Sequence, residues 1–170
     1  MIPAPFHFKL IGCDSDLDII RSIASRIWPE TFQRILAPEQ IGYMMRMMYA
    51  PEVLRCERQQ EGHTFGLLYD AQTPIGYLQL SAYHPKDTAK LHKLYLLAAY
   101  HRRGLGQAML DYAANLAKEQ GFSRLVLNVN KQNEPAIKAY RRNGFSLAQS
   151  VVNDIGNGFV MDDYIFARDL

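Results

Sequence analysis

Apolar positions along this chain change period several times, and the changes mark out its elements. Phe6 to Ile11 alternates weakly and predicts a first strand that ends at Gly12. Leu17, Ile20, Ala24 and Ile27 then follow a helical period behind Asp14 or Ser15, either of which suits a helix N-cap. A second helical region is expected after Pro29. Pro38 opens a third, in which Ile41, Met44, Met45, Met48 and Tyr49 recur at i, i+3, i+4, i+7 and i+8. Met44, Met45, Met47 and Met48 would suit an adaptable substrate pocket, but at this spacing they read more simply as core.

Further along, the period drops to two. His63 to Tyr69 and Pro74 to Tyr83 predict a hairpin about a turn at Asp70 to Thr73, with Gly76, Leu78, Leu80 and Ala82 on one face. Lys90 to Leu97 predicts another strand. A helix follows from Gly104 to about Gln120, where Leu105, Ala108, Met109, Tyr112, Ala113, Leu116 and Ala117 keep the helical period until Gly121 ends it. Phe122 to Val129 predicts a strand, Asn133 to Asn143 a helix with Gly144 in the C-terminal capping position, and Phe145 to Val152 with Gly158 to Ala167 a closing hairpin around I-G-N-G. The order is one strand, a helical block, three strands, helix, strand, helix and two strands. This predicts an α/β chain of the α+β kind, a single domain over residues 1–170.

Composition narrows the class. With 170 residues, 48% of them hydrophobic, the chain can bury a core without covalent staples. A formal charge of +2 is too mild for a nucleic-acid partner, and the arginines cluster locally instead of lining a face. Cys13 and Cys56 show no metal-ligand spacing, so no metal site is expected, and both read as small buried apolar side chains in a reducing, cytoplasmic setting. The opening M-I-P-A-P-F-H-F has neither a charged nor an apolar leader region, and no run is long enough for a membrane span.

The chemistry concentrates at Tyr100 to Met109, Y-H-R-R-G-L-G-Q-A-M, between a strand and a helix. Glycines let the backbone approach an anion, the free N–H groups of a starting helix point at it, and arginines add charge-assisted donors. A pyrophosphate ligand is implied. The P-loop string G-x-x-x-x-G-K-[ST] does not occur, and a dinucleotide fingerprint fails because Met109 stands where its third glycine belongs.

A third pattern fits. His101, Arg102, Arg103, Gly104, Leu105 and Gly106 match [QR]-x-x-G-x-[GA] except at the first position. Asn133, Ala136, Tyr140, Gly144 and Phe145 match N-x-x-A-x-x-x-Y-x-x-x-G-F. Singly, Gly104 reads as a helix start, Arg102 and Arg103 as solvated, Asn133 as an N-cap and Tyr140 as a core aromatic. Their joint spacing resembles the GNAT N-acetyltransferase superfamily. That resemblance implies a mixed, mostly antiparallel sheet of about seven strands flanked by helices and splayed between strands 4 and 5. It also implies acetyl-CoA as cofactor, with Leu96 and Leu97 on the fourth strand, the loop residues His101 to Gln107, and Asn133, Ala136 and Tyr140 around it. His101 departs from the family's Gln or Arg, which leaves the backbone cradle intact and alters one side chain.

The same resemblance implies direct attack of an amine on the thioester in a ternary complex, with a backbone N–H near Leu96 to Leu97 polarising the carbonyl. Tyr140 matches the family tyrosine near the coenzyme A sulfur and is the candidate general acid. The fourth strand offers no glutamate, so His92, the nearest group of suitable pKa, is the candidate base, with an ordinary packed or exposed histidine as its plain reading. W-P-E-T-F and N-G-F-V-M-D-D-Y look similar to bacterial polyamine and diamine acetyltransferases. Asp162 and Asp163 would attract a cationic amine while Trp28, Phe32 and Tyr164 wall its methylene chain, although solvated charges and core aromatics explain them equally. The expected partner is a small-molecule amine, with a homodimer suggested by family habit. Acetylation of a protein N-terminus or lysine, and a coenzyme A sensor without catalysis, stay open.

Overall fold

A computed structural model describes residues 4–60 and 62–170. Its elements run β1 (Phe6–Leu10), α1 (Asp14–Phe32), α2 (Pro38–Tyr49), α3 (Pro51–Gln59), β2 (Thr64–Asp70), β3 (Thr73–Tyr83) and β4 (Thr88–Leu96). A single 3₁₀ turn, Ala98–Tyr100, leads to α4 (Leu105–Glu119), β5 (Arg124–Asn130), α5 (Glu134–Arg142), β6 (Ser146–Gly156) and β7 (Phe159–Asp169). The seven strands form one sheet in the order β1-β2-β3-β4-β5-β7-β6.

All neighbours are antiparallel except β4 and β5, which pair in parallel over Thr88–Leu91 and Arg124–Leu127. Past that point each keeps only its outer partner: β4 stays on β3 as far as Leu96 opposite Gly76, and β5 stays on β7 as far as Asn130 opposite Asp163. Two inner strand edges are thereby left free, and the sheet splays into a cleft. The splay inferred from the family resemblance is present, between β4 and β5.

Within β4 the register slips: Lys93 faces Gln79 and Leu91 faces Leu80, so His92 is the extra residue of a bulge. Such a bulge re-aims side chains, here turning Lys90, His92, Lys93 and Tyr95 to one face. Gly76 serves the same region by its size. A Cβ there would lie 2.7 Å from the Tyr95 carbonyl oxygen, closer than the sheet permits.

Two cores flank the sheet. On one face, Ile20, Ala24, Ile27 and Trp28 of α1 pack with Tyr49, Leu67, Ile75 and Tyr77. Its polar handles are satisfied internally, because Trp28 Nε1 donates to the Tyr49 hydroxyl at 3.0 Å and that oxygen meets the Tyr77 hydroxyl at 2.8 Å. On the other face, Leu78, Leu80, Leu110, Ala113, Leu125 and Phe166 close under α4 and α5.

Four sequence expectations change. Helix α1 does not stop for a second helical region at Pro29 but runs through it to Phe32, since Pro29 falls in the last turn and burial of Trp28 and Phe32 on either side holds the helix together. Neither Asp14 nor Ser15 is its N-cap; Cys13 is, with no side-chain bond to the helix backbone, and Asp16 instead reaches back to the Gly12 N–H at 3.2 Å while pairing with Lys9. Helix α3 has no counterpart in the sequence pattern, because Leu54 is its one buried residue. Both cysteines, expected inside, are exposed: Cys13 stands at a helix start and Cys56 two residues past Leu54 on the outer side of α3. The closing hairpin forms as expected about Asn157 and Gly158, whose φ values of 55° and 76° are those of a tight primed turn.

Candidate active site

The splay opens into a cavity of about 1090 Å³ that runs through the sheet between β4 and β5. One half is bounded by the loop after β4 and the starts of α4 and α5. Arg102 and Gly104 hold positive φ, 60° and 76°, and α4 begins immediately after. Its first intrahelical bond runs from Ala108 to Gly104, so the N–H groups of Leu105, Gly106 and Gln107 have no helical acceptor and form an anion seat. A Cβ built on Gly106 would meet no protein atom within 4 Å. Local packing therefore does not require glycine here, whereas a ligand lying against the backbone does. These residues fit a pyrophosphate.

His101, Arg102, Gly104, Gly106 and Gln107 line this half together with Leu96, Asn133, Ala136 and Tyr140. Three residues of the expected cofactor set lie outside the lining. Arg103 packs its guanidinium over the rings of Phe6 and Tyr100, 5.2 Å from each centroid. Leu105 is fully buried in the core, and the Leu97 N–H donates to the Ile75 carbonyl at 2.9 Å. That bond sets the alternation along β4: Leu97 and Tyr95 bond toward β3, which turns the N–H groups of Leu94 and Leu96 toward the splay. The carbonyl of Leu96 accepts from His101 Nε2 at 3.0 Å. Asn133 caps α5, its Oδ1 accepting from the Ala136 N–H at 3.3 Å. Lys138 and Arg142 of α5 also face the cavity, a pair of cations that motif spacing did not single out.

Tyr140 packs its ring edge-on against Phe145 at 5.8 Å. Burial pushes its phenol up to about 12, so it is fully protonated at neutral pH.

The other half of the cavity lies under α1 and α2. Trp28, Phe32, Met44, Met48 and Met161 supply apolar walls, and Asp163 stands on its sheet side. Because strand neighbours alternate, Asp162 and Tyr164 face away from Asp163. Asp162 pairs with Lys131, whose ammonium lies 5.5 Å from the Tyr164 ring. Of the five acceptor-side residues read from sequence, the fold brings Trp28, Phe32 and Asp163 together and leaves Asp162 and Tyr164 out.

His92 also lines the cavity. Its Nε2 meets the Ser81 hydroxyl at 2.7 Å and its ring stacks 5.9 Å from that of His63. Burial, followed by Lys90, Lys93 and His63, pushes its pKa down to about 3. A group held neutral so firmly is a poor acceptor for an ammonium proton. Behind it, Lys93 is buried against Glu57 and Gln79, a polar cluster that α3 completes.

The profile of the Acetyltransferase (GNAT) family matches residues 17–145. The chain belongs to the GNAT acetyltransferase family. It is accordingly an acetyl-CoA-dependent N-acetyltransferase, and the cradle above is suited to the coenzyme's pyrophosphate. Among relatives, a spermidine N(1)-acetyltransferase of Thermoplasma acidophilum is 28% identical over 151 residues, covering 86% of this chain and 90% of that protein. A mycothiol acetyltransferase of Corynebacterium aurimucosum is 34% identical over 87 residues, 49% of this chain and 28% of the relative. Of solved structures, the PaiA N-acetyltransferase of T. acidophilum in complex with coenzyme A superposes with a TM-score of 0.79 at 24% identity, over 96% of this chain and 99% of the other. The ribosomal-protein-S18-alanine N-acetyltransferase of Escherichia coli gives 0.72 at 20%, over 96% and 93%. At these identities the structures establish the GNAT fold. Among the described residues, no helix is long and apolar enough to cross a membrane.

Proposed function

We propose that this GNAT enzyme acetylates a small primary amine of the polyamine or diamine type, by direct attack in a ternary complex with acetyl-CoA. The observation that carries the reading is the acceptor half of the cavity: apolar walls from Trp28, Phe32, Met44 and Met48 lead to the buried carboxylate of Asp163. A methylene chain gains from the walls and a terminal ammonium from the carboxylate. The spermidine N(1)-acetyltransferase of T. acidophilum, matched over most of both chains, supports the same class. Exposed free thiols at Cys13 and Cys56 suit a reducing cytoplasm.

In this reading the N–H groups of Leu105, Gly106 and Gln107, with Arg102 beside them, hold the pyrophosphate. Bound acetyl-CoA supplies an activated thioester. The Leu96 N–H polarises the thioester carbonyl, a contribution that for a single such donor is about 10²–10³ in rate. The amine nitrogen forms the amide bond as the C–S bond breaks. Tyr140 gives its proton to the departing sulfur, and the phenolate recovers one from the nitrogen of the new amide.

The test is mass-spectrometric detection of acetylated products from a panel of diamines, polyamines, amino acids and peptides incubated with enzyme and acetyl-CoA. Acetylated di- or polyamines are expected. Acetylation confined to peptide N-termini or lysines would overturn the small-amine reading, and tight acetyl-CoA binding with no product from any acceptor would identify a sensor.

A further inference from the structure

An alkylammonium with a pKa of about 10 has to lose a proton before it can attack a carbonyl. Strand β4 places no suitable group in the cavity: Lys90 and Lys93 stand outside its lining, and His92 is held neutral with its Nε2 on Ser81. Among the described residues the cavity lining carries two carboxylates, Glu30 and Asp163. Glu30 lies exposed at the end of α1. Asp163 is 1% exposed, on β7 opposite Asn130, beyond the point where β5 parts from β4.

The surroundings of Asp163 are incomplete in a specific way. Its Oδ2 accepts from Asn128 Nδ2 at 3.3 Å, while Oδ1 has no hydrogen-bond partner. Oδ1 of Asn128, on the same sheet face and in the same cavity lining, is also without one. Two buried acceptors in one cavity lining without donors are costly, and a group carrying several donor hydrogens would satisfy both. A primary ammonium carries three.

Resting on the amine reading above, we propose that Asp163 is the base of the reaction: its carboxylate receives the acceptor's ammonium beside Asn128 and takes one proton from it. The N–H bond breaks with its electron pair left on nitrogen, and an O–H bond forms on Oδ1. Once the amide, which has no basic nitrogen, has replaced the amine, the carboxyl returns its proton to water through the open cavity. The groups around Asp163 are Lys90 and Tyr95 of β4, Asn128 of β5, Lys131 after it, and Asp162 on its own strand. Burial, reinforced by Asp162, raises the carboxyl's proton affinity against the pull of Asn128, Lys90 and Lys131, bringing it nearer to that of the amine.

The experiment compares wild type with Asp163→Asn on two acceptors of similar size: an alkylamine, cationic at neutral pH, and an alkoxyamine, already a free base there. Coenzyme A affinity, measured in parallel, reports an intact cofactor half. We expect Asp163→Asn to lose about 100-fold or more in kcat/KM on the alkylamine and less than about fivefold on the alkoxyamine. Equal losses on both would reduce Asp163 to a seat for the nitrogen and overturn the proposal, as would an undiminished rate on the alkylamine. Should the amide variant not fold, Asp163→Ser, smaller and uncharged, makes the same comparison. If wild type acetylates only peptide amines, the small-amine reading fails by itself, and a loss that grows with the pKa of the peptide amine still supports the base.

Discussion

His101 Nε2 lies 3.0 Å from the carbonyl oxygen of Leu96. A carbonyl only accepts, so this nitrogen is the donor. The bond ties the loop proposed to seat the pyrophosphate to the end of β4, whose Leu96 N–H points into the splay. The one loop residue that departs from the family pattern thus links the loop to the open end of β4.

His101→Ala should therefore weaken acetyl-CoA binding without altering the fold. Losing one such hydrogen bond is worth about 0.5–1.5 kcal/mol, or roughly two- to thirteenfold in KM for acetyl-CoA. His101→Gln, which retains a side-chain N–H donor, should recover most of that in steady-state kinetics.

Tyr140→Phe keeps the ring against Phe145 and removes only the hydroxyl. As general acid Tyr140 should be worth about 10² or more in kcat, with acetyl-CoA affinity unchanged by calorimetry. Equal turnover in the two proteins would restore it to the role of a core aromatic.

The two cradle glycines should behave oppositely. Gly104→Ala forces an L-residue to a φ of 76° and is expected to cost about 1–2 kcal/mol of stability. Gly106→Ala meets no protein atom and replaces a helical glycine, so stability should rise by up to about 1 kcal/mol while acetyl-CoA affinity falls at least tenfold. Urea denaturation and calorimetry on both variants separate the two effects.

Gly76→Ala should destabilise the protein by about 1–3 kcal/mol or more, because the clash is with backbone at 2.7 Å, and a strand cannot swing aside as a side chain can. Since Gly76 sits opposite Leu96, the surviving folded fraction should also show a raised KM for acetyl-CoA.

His92 should make stability depend on pH. Between 6.5 and about 3 the unfolded chain binds a proton on this imidazole that the folded chain refuses. Stability is then fully present above pH 6.5 and falls as the pH drops through that window, by up to about 1.4 kcal/mol per unit. Denaturation midpoints of His92→Gln, measured against pH, should show a shallower decline over the same range.

Where the information is local, the amino-acid order carried it. The helical period of α4, the Asn157-Gly158 turn, the Asn133 cap and the glycines of the cradle each depend on residues within a few positions of one another, so their chemistry can be read along the chain. Helix α3 escaped because Leu54 is its one buried residue, too little to make a periodic signal. Pro29 misled because its cost in a last turn is outweighed by the burial of Trp28 and Phe32, which only the sheet beneath them provides.

Sequence by itself determined the family and the donor and marked out the loop proposed to hold it, since these rest on short spacings and on backbone geometry that glycine permits. Tertiary structure alone decided which residues line the other half of the cavity. Asp162 and Asp163 are adjacent and chemically alike, yet alternation in β7 sends one to Lys131 and the other into the cleft. Which of them meets a substrate depends on how β7 pairs with β5 and where β5 leaves β4, and those are contacts between residues far apart in the chain.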